Sequence, residues 1–229
     1  MNISILYEDN HVLVVEKPVN IPVQADSSGD LDLLTLLKQD LKKRYNKPGN
    51  VFLGLVHRLD RPVGGAMVFA KTSKAASRLS DLMRRQEITR HYLAVVRGTP
   101  IKKKTQLEHY LLKDTKKNKV SVVSSQQNKA KKAVLEYKVF EKKKNMALLA
   151  VKLHTGRPHQ IRVQLSSVGL PLYGDQKYGS LVNQSGQQLA LWARYLEFKH
   201  PVKDTVIKVH SAPPEQHPWT LWTETATTI

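Results

Sequence analysis

Lysine is concentrated in one stretch of this 229-residue chain, and the pattern around the lysines constrains the fold. Between Lys102 and Lys144 there are fourteen lysines, no arginine and four acidic residues, a net charge of +10 out of +18 for the whole chain. Apolar and β-branched residues still alternate or run together within it, as they do in strands. These strands are predicted at Leu107–Leu112, Lys119–Ser124 and Ala133–Phe140. We therefore expect a lysine-rich antiparallel meander at about residues 102–144 instead of a disordered basic tail.

Strands outnumber helices in the rest of the sequence. They are predicted at Ile3–Tyr7, His11–Glu16, Gly65–Lys71, Ile88–Val96, Met146–His154, Tyr195–Phe198 and Thr205–His210. Many of these strands are linked as hairpins, so the chain is predicted to be α+β with a mixed, mostly antiparallel sheet. No internal repeat or Gly/Ser linker is present, and residues 1–229 are expected to form a single domain.

Three segments have the apolar spacing of one helical face. The first is Leu31–Tyr45, which either Asp30 or Asp32 can cap. The second is expected to have Ser73 as its N-cap, and the third to have Pro158 in its first turn.

Composition excludes several classes of protein. The chain has no cysteine, so disulfides, thiolate zinc sites and cysteine nucleophiles are ruled out. The longest apolar run, Met146–Val151, is far shorter than a membrane span, and no signal peptide is visible. The pI near 10.0 favours a polyanionic partner, with nucleic acid ahead of a membrane surface. We expect a soluble, cytoplasmic protein.

The segment Leu55–Gly65 has neither a strand nor a helix period, and it ends in Pro-Val-Gly-Gly. It is typical of a structured loop that presents side chains. Arg58 and Arg61 flank Asp60, and nearby cations favour the ionised form of a carboxylate. An ionised, positioned carboxylate can act as a nucleophile or as a base. The alternative is a structural Asp–Arg pair that holds the loop.

Two further segments are candidates for chemistry. His154–Arg162 places two arginines and two histidines at a strand-to-helix junction, where free backbone N–H groups favour anions. An ordinary capped helix with exposed basic residues is the alternative. Tyr92 shares one face of its strand with Arg90 and Ala94, and it can stack on a base, exchange a proton or simply pack.

Other readings of these segments are weaker. His154 and His159 are five residues apart across a turn, a poor spacing for zinc. The segment His57–Asp60 is similar to a kinase catalytic loop, but the other kinase motifs are missing. A lysine-rich RNA-binding module without catalysis remains open, and a carboxylate-based nucleoside hydrolase is a more distant alternative.

Three strings resemble the motifs of the RluA family of RNA pseudouridine synthases: VHRLDRPVGGAMVFAKT, YLAVVRG and HTGRPHQIRVQL. The Lys17-Pro18 turn, the Gly174–Gly179 segment and the His200-Pro201 turn resemble further family features. Two departures are Pro62-Val63-Gly64 after the aspartate, and Gln164 where many members have histidine.

The resemblance implies a pseudouridine synthase fold, with helices flanking a central RNA-binding cleft. It implies an isomerase that converts uridine to pseudouridine in structured RNA, either ribosomal or transfer RNA, with no cofactor and no metal. Asp60 matches the catalytic aspartate, which acts either as nucleophile at C1′ or as base at C2′. Tyr92 matches the tyrosine that stacks on the uracil, and Arg162 the arginine that pairs with the aspartate. Arg58 matches the arginine that fills the gap left by the extruded nucleotide.

The remaining RNA contacts are expected along the same surface. The candidates are His57, Arg157, His159, Leu165, Lys116, Lys117, Lys119, Lys131 and Lys132. Many relatives carry an N-terminal S4 domain, whereas the strands of this chain begin at residue 3, so RNA capture is expected to fall on the catalytic domain. We expect a monomer with RNA as partner, no membrane and no obligate protein partner.

Overall fold

A computed structural model describes residues 3–222. Its strands are β1 (Ile5–Glu8), β2 (Val12–Lys17), β3 (Gly54–Leu55), β4 (Gly64–Ala70), β5 (Thr89–Arg97), β6 (Lys104–Asp114), β7 (Lys119–Val123), β8 (Lys131–Lys143), β9 (Met146–Leu153), β10 (Leu191–Lys199) and β11 (Val206–His210). Its α-helices are α1 (Leu33–Arg44), α2 (Ser73–Arg84) and α3 (Gln160–Ser167), and Trp219–Trp222 form a 3-10 helix. The α+β class with a mostly antiparallel sheet is thereby confirmed.

The contacts divide the chain into two compact units. Unit 1 comprises Met1–Thr89 and Ala193–Ser211, and unit 2 comprises Arg90–Trp192 and Ala212–Ile229. That residues 1–229 act as a single catalytic domain remains a prediction. None of the helices within residues 3–222 combines the length and the apolar content needed to cross a bilayer.

Unit 1 is built on strands in the order β1-β2-β4-β10, with β11 antiparallel to β10 and β3 antiparallel to β4. Every residue of β4 is buried, in agreement with its unbroken apolar run. Helix α2 packs Leu79 and Leu82 into a core that includes Val14 and Val68. This core supports the loop that precedes β4.

The helix caps differ in part from the sequence expectations. Asp32 caps α1 by accepting a hydrogen bond from the N–H of Thr35. Helix α2 is capped by Thr72 and not by Ser73, because Thr72 has the extended backbone of a cap and its Oγ1 accepts from the N–H of Ala75. This correction moves the cap of α2 by one residue.

Helix α3 begins later than its proline suggested. Pro158 lies before the helix, and His159 is the N-cap in the left-handed conformation, with φ of 50°. The helix ends where Gly169, with φ of +76°, reverses the chain. The N–H of Leu170 then donates to the carbonyl of Leu165 at 2.9 Å, which closes the last turn.

Unit 2 contains five antiparallel strands in the order β5-β9-β8-β6-β7. The lysine-rich segment forms β6, β7 and β8 within this order. Helix α3 packs against their apolar face, where Val163 meets Leu111, Val120 and Ala133. The meander is therefore a folded part of unit 2, with most of its lysines exposed.

Candidate active site

The loop before β4 holds Asp60 in a tight turn. The N–H of Val63 donates to the carbonyl of Asp60 at 3.0 Å, and Asp60 itself is half-buried. Beyond the turn, Gly65 has φ of +113°, and a Cβ there would lie 2.4 Å from the carbonyl oxygen of Ala193. Only glycine fits this approach of two backbones, so the downstream end of the loop is fixed.

A buried lysine also holds this loop in place through hydrogen bonds. Lys17, at the end of β2, is 0% exposed, and its Nζ donates to the carbonyls of Pro18 at 2.8 Å, Arg61 at 3.0 Å and Val63 at 2.8 Å. All three ammonium hydrogens therefore meet backbone oxygens on the strand end and the loop. Burial lowers the pKa of Lys17 to about 7, although the charge of Asp60 opposes this change.

The two arginines beside Asp60 behave differently. Arg61 bonds the carbonyl of Asn20 at 3.1 Å and forms a salt bridge with Asp30, so its guanidinium is held by other residues of unit 1. Arg58 is exposed. The loop is therefore held by the bonds of Arg61 to Asn20 and Asp30 and by the bonds of Lys17 to two of its carbonyls. On the same segment, Nε2 of His57 accepts the N–H of Val68 at 3.2 Å.

Unit 2 contains a buried salt bridge at the start of α3. Arg162 Nε lies 2.8 Å from Asp175 Oδ2, and Arg162 Nη2 lies 2.8 Å from Asp175 Oδ1. Burial opposes the negative charge of Asp175, but the bidentate bond from Arg162 outweighs it and lowers the pKa of that carboxyl. The backbone N–H groups of Lys177 and Tyr178 also donate to Asp175.

Tyr178 extends this network to the N-cap of α3. The guanidinium carbon of Arg162 lies 5.2 Å from the centre of the Tyr178 ring, a cation–π contact. The Tyr178 hydroxyl lies 2.7 Å from Nδ1 of His159 and accepts the N–H of Val120 at 2.9 Å. Arg162, Asp175, Tyr178 and His159 are therefore ordered together.

The turn before α3 is organised by one glutamine. Gln160 Oε1 accepts from the hydroxyl of Thr155 at 2.8 Å and from the N–H of Arg157 at 2.9 Å. Arg157 Nε then donates to the carbonyl of Lys132 at 2.9 Å, which ties the turn to β8. This junction is more elaborate than an ordinary capped helix, because its side chains bind backbone rather than solvent.

Tyr92 lies on β5 and is 6% exposed. In the register of unit 2, Tyr92 pairs with Val151, which pairs with Tyr137 on β8. Side chains of directly paired residues share a face of the sheet, so Tyr92 and Tyr137 lie on the same face.

Leu165 of α3 is completely buried, and its contact with a uracil remains a prediction.

The strand register also shows on which face of the sheet each candidate lysine lies. Lys131 lies an even number of residues from Tyr137 on β8 and therefore shares the face of Tyr92. Lys132 is on the other face, where it forms a salt bridge of 2.6 Å with Glu108. Lys119 is also on this other face, in register with Asp114 of β6. Lys116 and Lys117 lie in the turn between β6 and β7.

Sequence reasoning missed two parts of this arrangement. Asp175 was visible only as part of the Gly174–Gly179 resemblance, and Lys17 only as part of a Lys-Pro turn. In both cases the signal was a charged residue at a turn. Within residues 3–222 no group of three or more His, Asp or Glu side chains is arranged to hold a metal ion.

Comparison with known proteins identifies the family. Residues 11–167 match the RNA pseudouridylate synthase family. The chain is 34% identical over 235 residues to ribosomal large subunit pseudouridine synthase D of Pseudomonas aeruginosa, covering 96% of this chain and 71% of that protein. The protein of the same description from Zymomonas mobilis is 32% identical over 223 residues, covering 93% and 70%. The solved structure of human RNA pseudouridylate synthase domain containing 1 has a TM-score of 0.76 and 26% identity, covering 94% of this chain and 85% of that one.

The chain therefore belongs to the RNA pseudouridine synthase family, in the RluA group that its motifs indicated. The pseudouridine synthase fold is confirmed as well, since the matching structures are pseudouridine synthase domains. The chain is an isomerase that acts on uridine in RNA. The central RNA-binding cleft and the roles of individual residues remain predictions.

Proposed function

We propose that this chain isomerises uridines in structured RNA with Asp60 as the catalytic carboxylate. The observation that carries this proposal is the loop of Asp60, in which two carbonyls, those of Arg61 and Val63, accept hydrogen bonds from the buried Lys17. A reaction at C1′ or C2′ of a ribose needs a carboxylate in a fixed position, and a clamped loop supplies one. In the reaction the N1–C1′ bond breaks, the uracil turns while bound, and C5 joins C1′.

Asp60 acts either as nucleophile at C1′ or as base at C2′, and both roles require its ionised form. Lys17 lies close enough to Asp60 within unit 1 for the charge of the carboxylate to act on its ammonium group. Arg61 does not compete for the carboxylate, because its guanidinium is bound to Asp30. These contacts support an oriented Asp60.

Arg162 and Tyr92 complete the proposed catalytic set. The bidentate bond to Asp175 uses two of the five N–H donors of Arg162, so the guanidinium can meet a second carboxylate as well. That this second carboxylate is Asp60 is what the family resemblance implies. Tyr92, held in a buried strand, stacks on the uracil and is the candidate for the proton step at C5.

The RNA is held by basic side chains outside this set. The exposed Arg58 takes the place of the uridine that leaves its stack. Neighbouring nucleotides are contacted by His57 on the loop before β4, and by Arg157 and His159 in the turn before α3. The lysines of the meander bind phosphates, which gives affinity without base specificity.

The names of the relatives favour one class of substrate. Two of them are described as acting on the ribosomal large subunit, so ribosomal RNA is the first candidate and transfer RNA the second. Both are cytoplasmic RNAs, and we also propose a cytoplasmic enzyme that acts as a monomer without an obligate protein partner. Pseudouridine mapping of total RNA with and without the protein would identify the target uridine.

Replacing the carboxylate of Asp60 should abolish isomerisation. Asp60→Asn removes the ionised oxygen while it keeps the size of the side chain, and kcat should fall by at least about 10³-fold. Tritium release from RNA containing 5-tritiated uridine measures this, and RNA binding should persist. The matched control is Asp40→Asn, on the exposed side of α1, which should retain activity. Wild-type tritium release by Asp60→Asn would overturn the assignment.

A further inference from the structure

Arg90 is a buried cation that forms no salt bridge with any residue of the described range 3–222. It lies on β5 and is 7% exposed. Its Nε is fully buried and has no hydrogen-bond partner within residues 3–222, and no salt bridge to its guanidinium is formed in that part of the chain. A buried charge without a partner is strongly unfavourable, so such a group normally meets a counter-charge.

Another buried arginine of unit 2, Arg162, has a counter-charge. Arg162 is buried to the same extent, at 6% exposed, and it has the bidentate bond to Asp175. Among residues 3–222, no acidic side chain plays this part for Arg90. The difference indicates that the counter-charge of Arg90 comes from outside the part of the chain that the structure describes.

The guanidinium of Arg90 lies against the backbone of a glycine. At Gly156, in the turn before α3, an added Cβ would lie 3.0 Å from Nη1 and 3.7 Å from Cζ of Arg90. The guanidinium is therefore next to bare backbone, in the turn that also contains Arg157. On β5, Arg90 shares its face with Tyr92 and is about 7 Å along the strand from it.

We propose that Arg90 binds a backbone phosphate of the RNA, next to the nucleotide whose uracil stacks on Tyr92. This inference rests on the proposed function, because that function supplies both the RNA and the role of Tyr92. A phosphodiester carries the missing negative charge, and its two free oxygens match the planar fork of a guanidinium. The site is specific in position but not in sequence, since phosphate contacts carry no base information.

The first test compares stability without RNA. Arg90→Gln removes an unbalanced buried charge, so the melting temperature of the free protein should stay the same or rise. Arg162→Gln, the matched variant, breaks a paired buried charge and should lower it. A clear fall for Arg90→Gln without RNA would show that the guanidinium has a structural partner, and would overturn the proposal.

The second test combines protein and RNA changes. The probe is a synthetic RNA hairpin containing the mapped target uridine, with single phosphates replaced by uncharged methylphosphonates. Arg90→Gln should raise KM about tenfold with little change in kcat, and should reduce the slope of log affinity against log salt by about 0.7. Arg90→Lys should recover part of the affinity.

One methylphosphonate near the target should weaken binding by wild type but not by Arg90→Gln. Equal losses for the two proteins at every position near the target would overturn the proposal. The outcome is separate from that of the Asp60 experiment. If wild type is active and Asp60→Asn is not, the proposed function stands whatever Arg90 does.

Discussion

Lysine occupies two opposite environments in this molecule. In unit 1, Lys17 is completely buried and its ammonium group is bound by three carbonyls around the loop of Asp60. In unit 2, the lysines of the meander are mostly exposed, and Lys116 and Lys117 stand in an open turn. The comparison shows that the +18 charge of the chain has two uses: one buried lysine orders the protein, whereas the exposed ones remain available to a polyanion.

The largest effect is expected from removing the buried lysine. Lys17→Met keeps the length of the side chain but leaves carbonyls of the Asp60 loop without their donor. The free energy of unfolding should fall by about 2–4 kcal/mol, and kcat by more than about tenfold because the loop is released.

Urea unfolding and tritium release measure these two effects. The control is Lys138→Met, an exposed lysine on β8, which should change stability by less than about 0.5 kcal/mol. Equal effects of Lys17→Met and Lys138→Met would show that the buried lysine contributes no more to stability and activity than an exposed one.

A second effect concerns pH. The pKa of Lys17 is lowered to about 7 in the folded chain, whereas the unfolded chain has the ordinary value of 10.5. Between these values the unfolded state binds one more proton, so this group makes stability rise with pH, by at most about 1.4 kcal/mol per pH unit. The stability of wild type relative to Lys17→Met should therefore increase from pH 7 to pH 10. A difference that stays flat over this range would contradict a lowered pKa.

The smallest effects are expected in the meander. The triple change of Lys116, Lys117 and Lys131 to Gln removes lysines of the turn and of the Tyr92 face, and should reduce the salt slope of RNA binding by about 2. The double change of Lys119 and Lys132 to Gln, on the other face, should reduce it by less than about 0.5. Filter binding at several salt concentrations measures both. Similar slopes for the two variants would show that the face of the sheet does not select the RNA contacts.

Local patterns in the sequence were enough for much of the fold. Alternation predicted the strands of the meander, and an unbroken apolar run predicted the buried β4. Helix caps were harder, because Thr72 and Ser73 are adjacent hydroxyl residues and only the backbone decides which one caps. The two-residue strand β3 and the 3-10 helix at Trp219–Trp222 are too short to leave a periodic signal.

The candidate site depended more on pairings that are distant along the chain. Lys17 reaches carbonyls 44 and 46 residues away, and no pattern near Lys17 indicates that bond. Asp175 is 13 residues beyond Arg162, and only the fold brings the two together. The sequence also treated Lys131 and Lys132 alike, whereas the register puts them on opposite faces.

The hydroxyl of Tyr178 has a consequence beyond the ordering of α3. Strand β7 is the last in the strand order of unit 2, so its outer N–H groups can pair with a strand of another molecule. The bond from Val120 to Tyr178 occupies one of these donors, and the charge of Lys119 stands beside it. The tyrosine therefore also occupies one donor of this edge that would otherwise be open to a strand of a second copy of the chain.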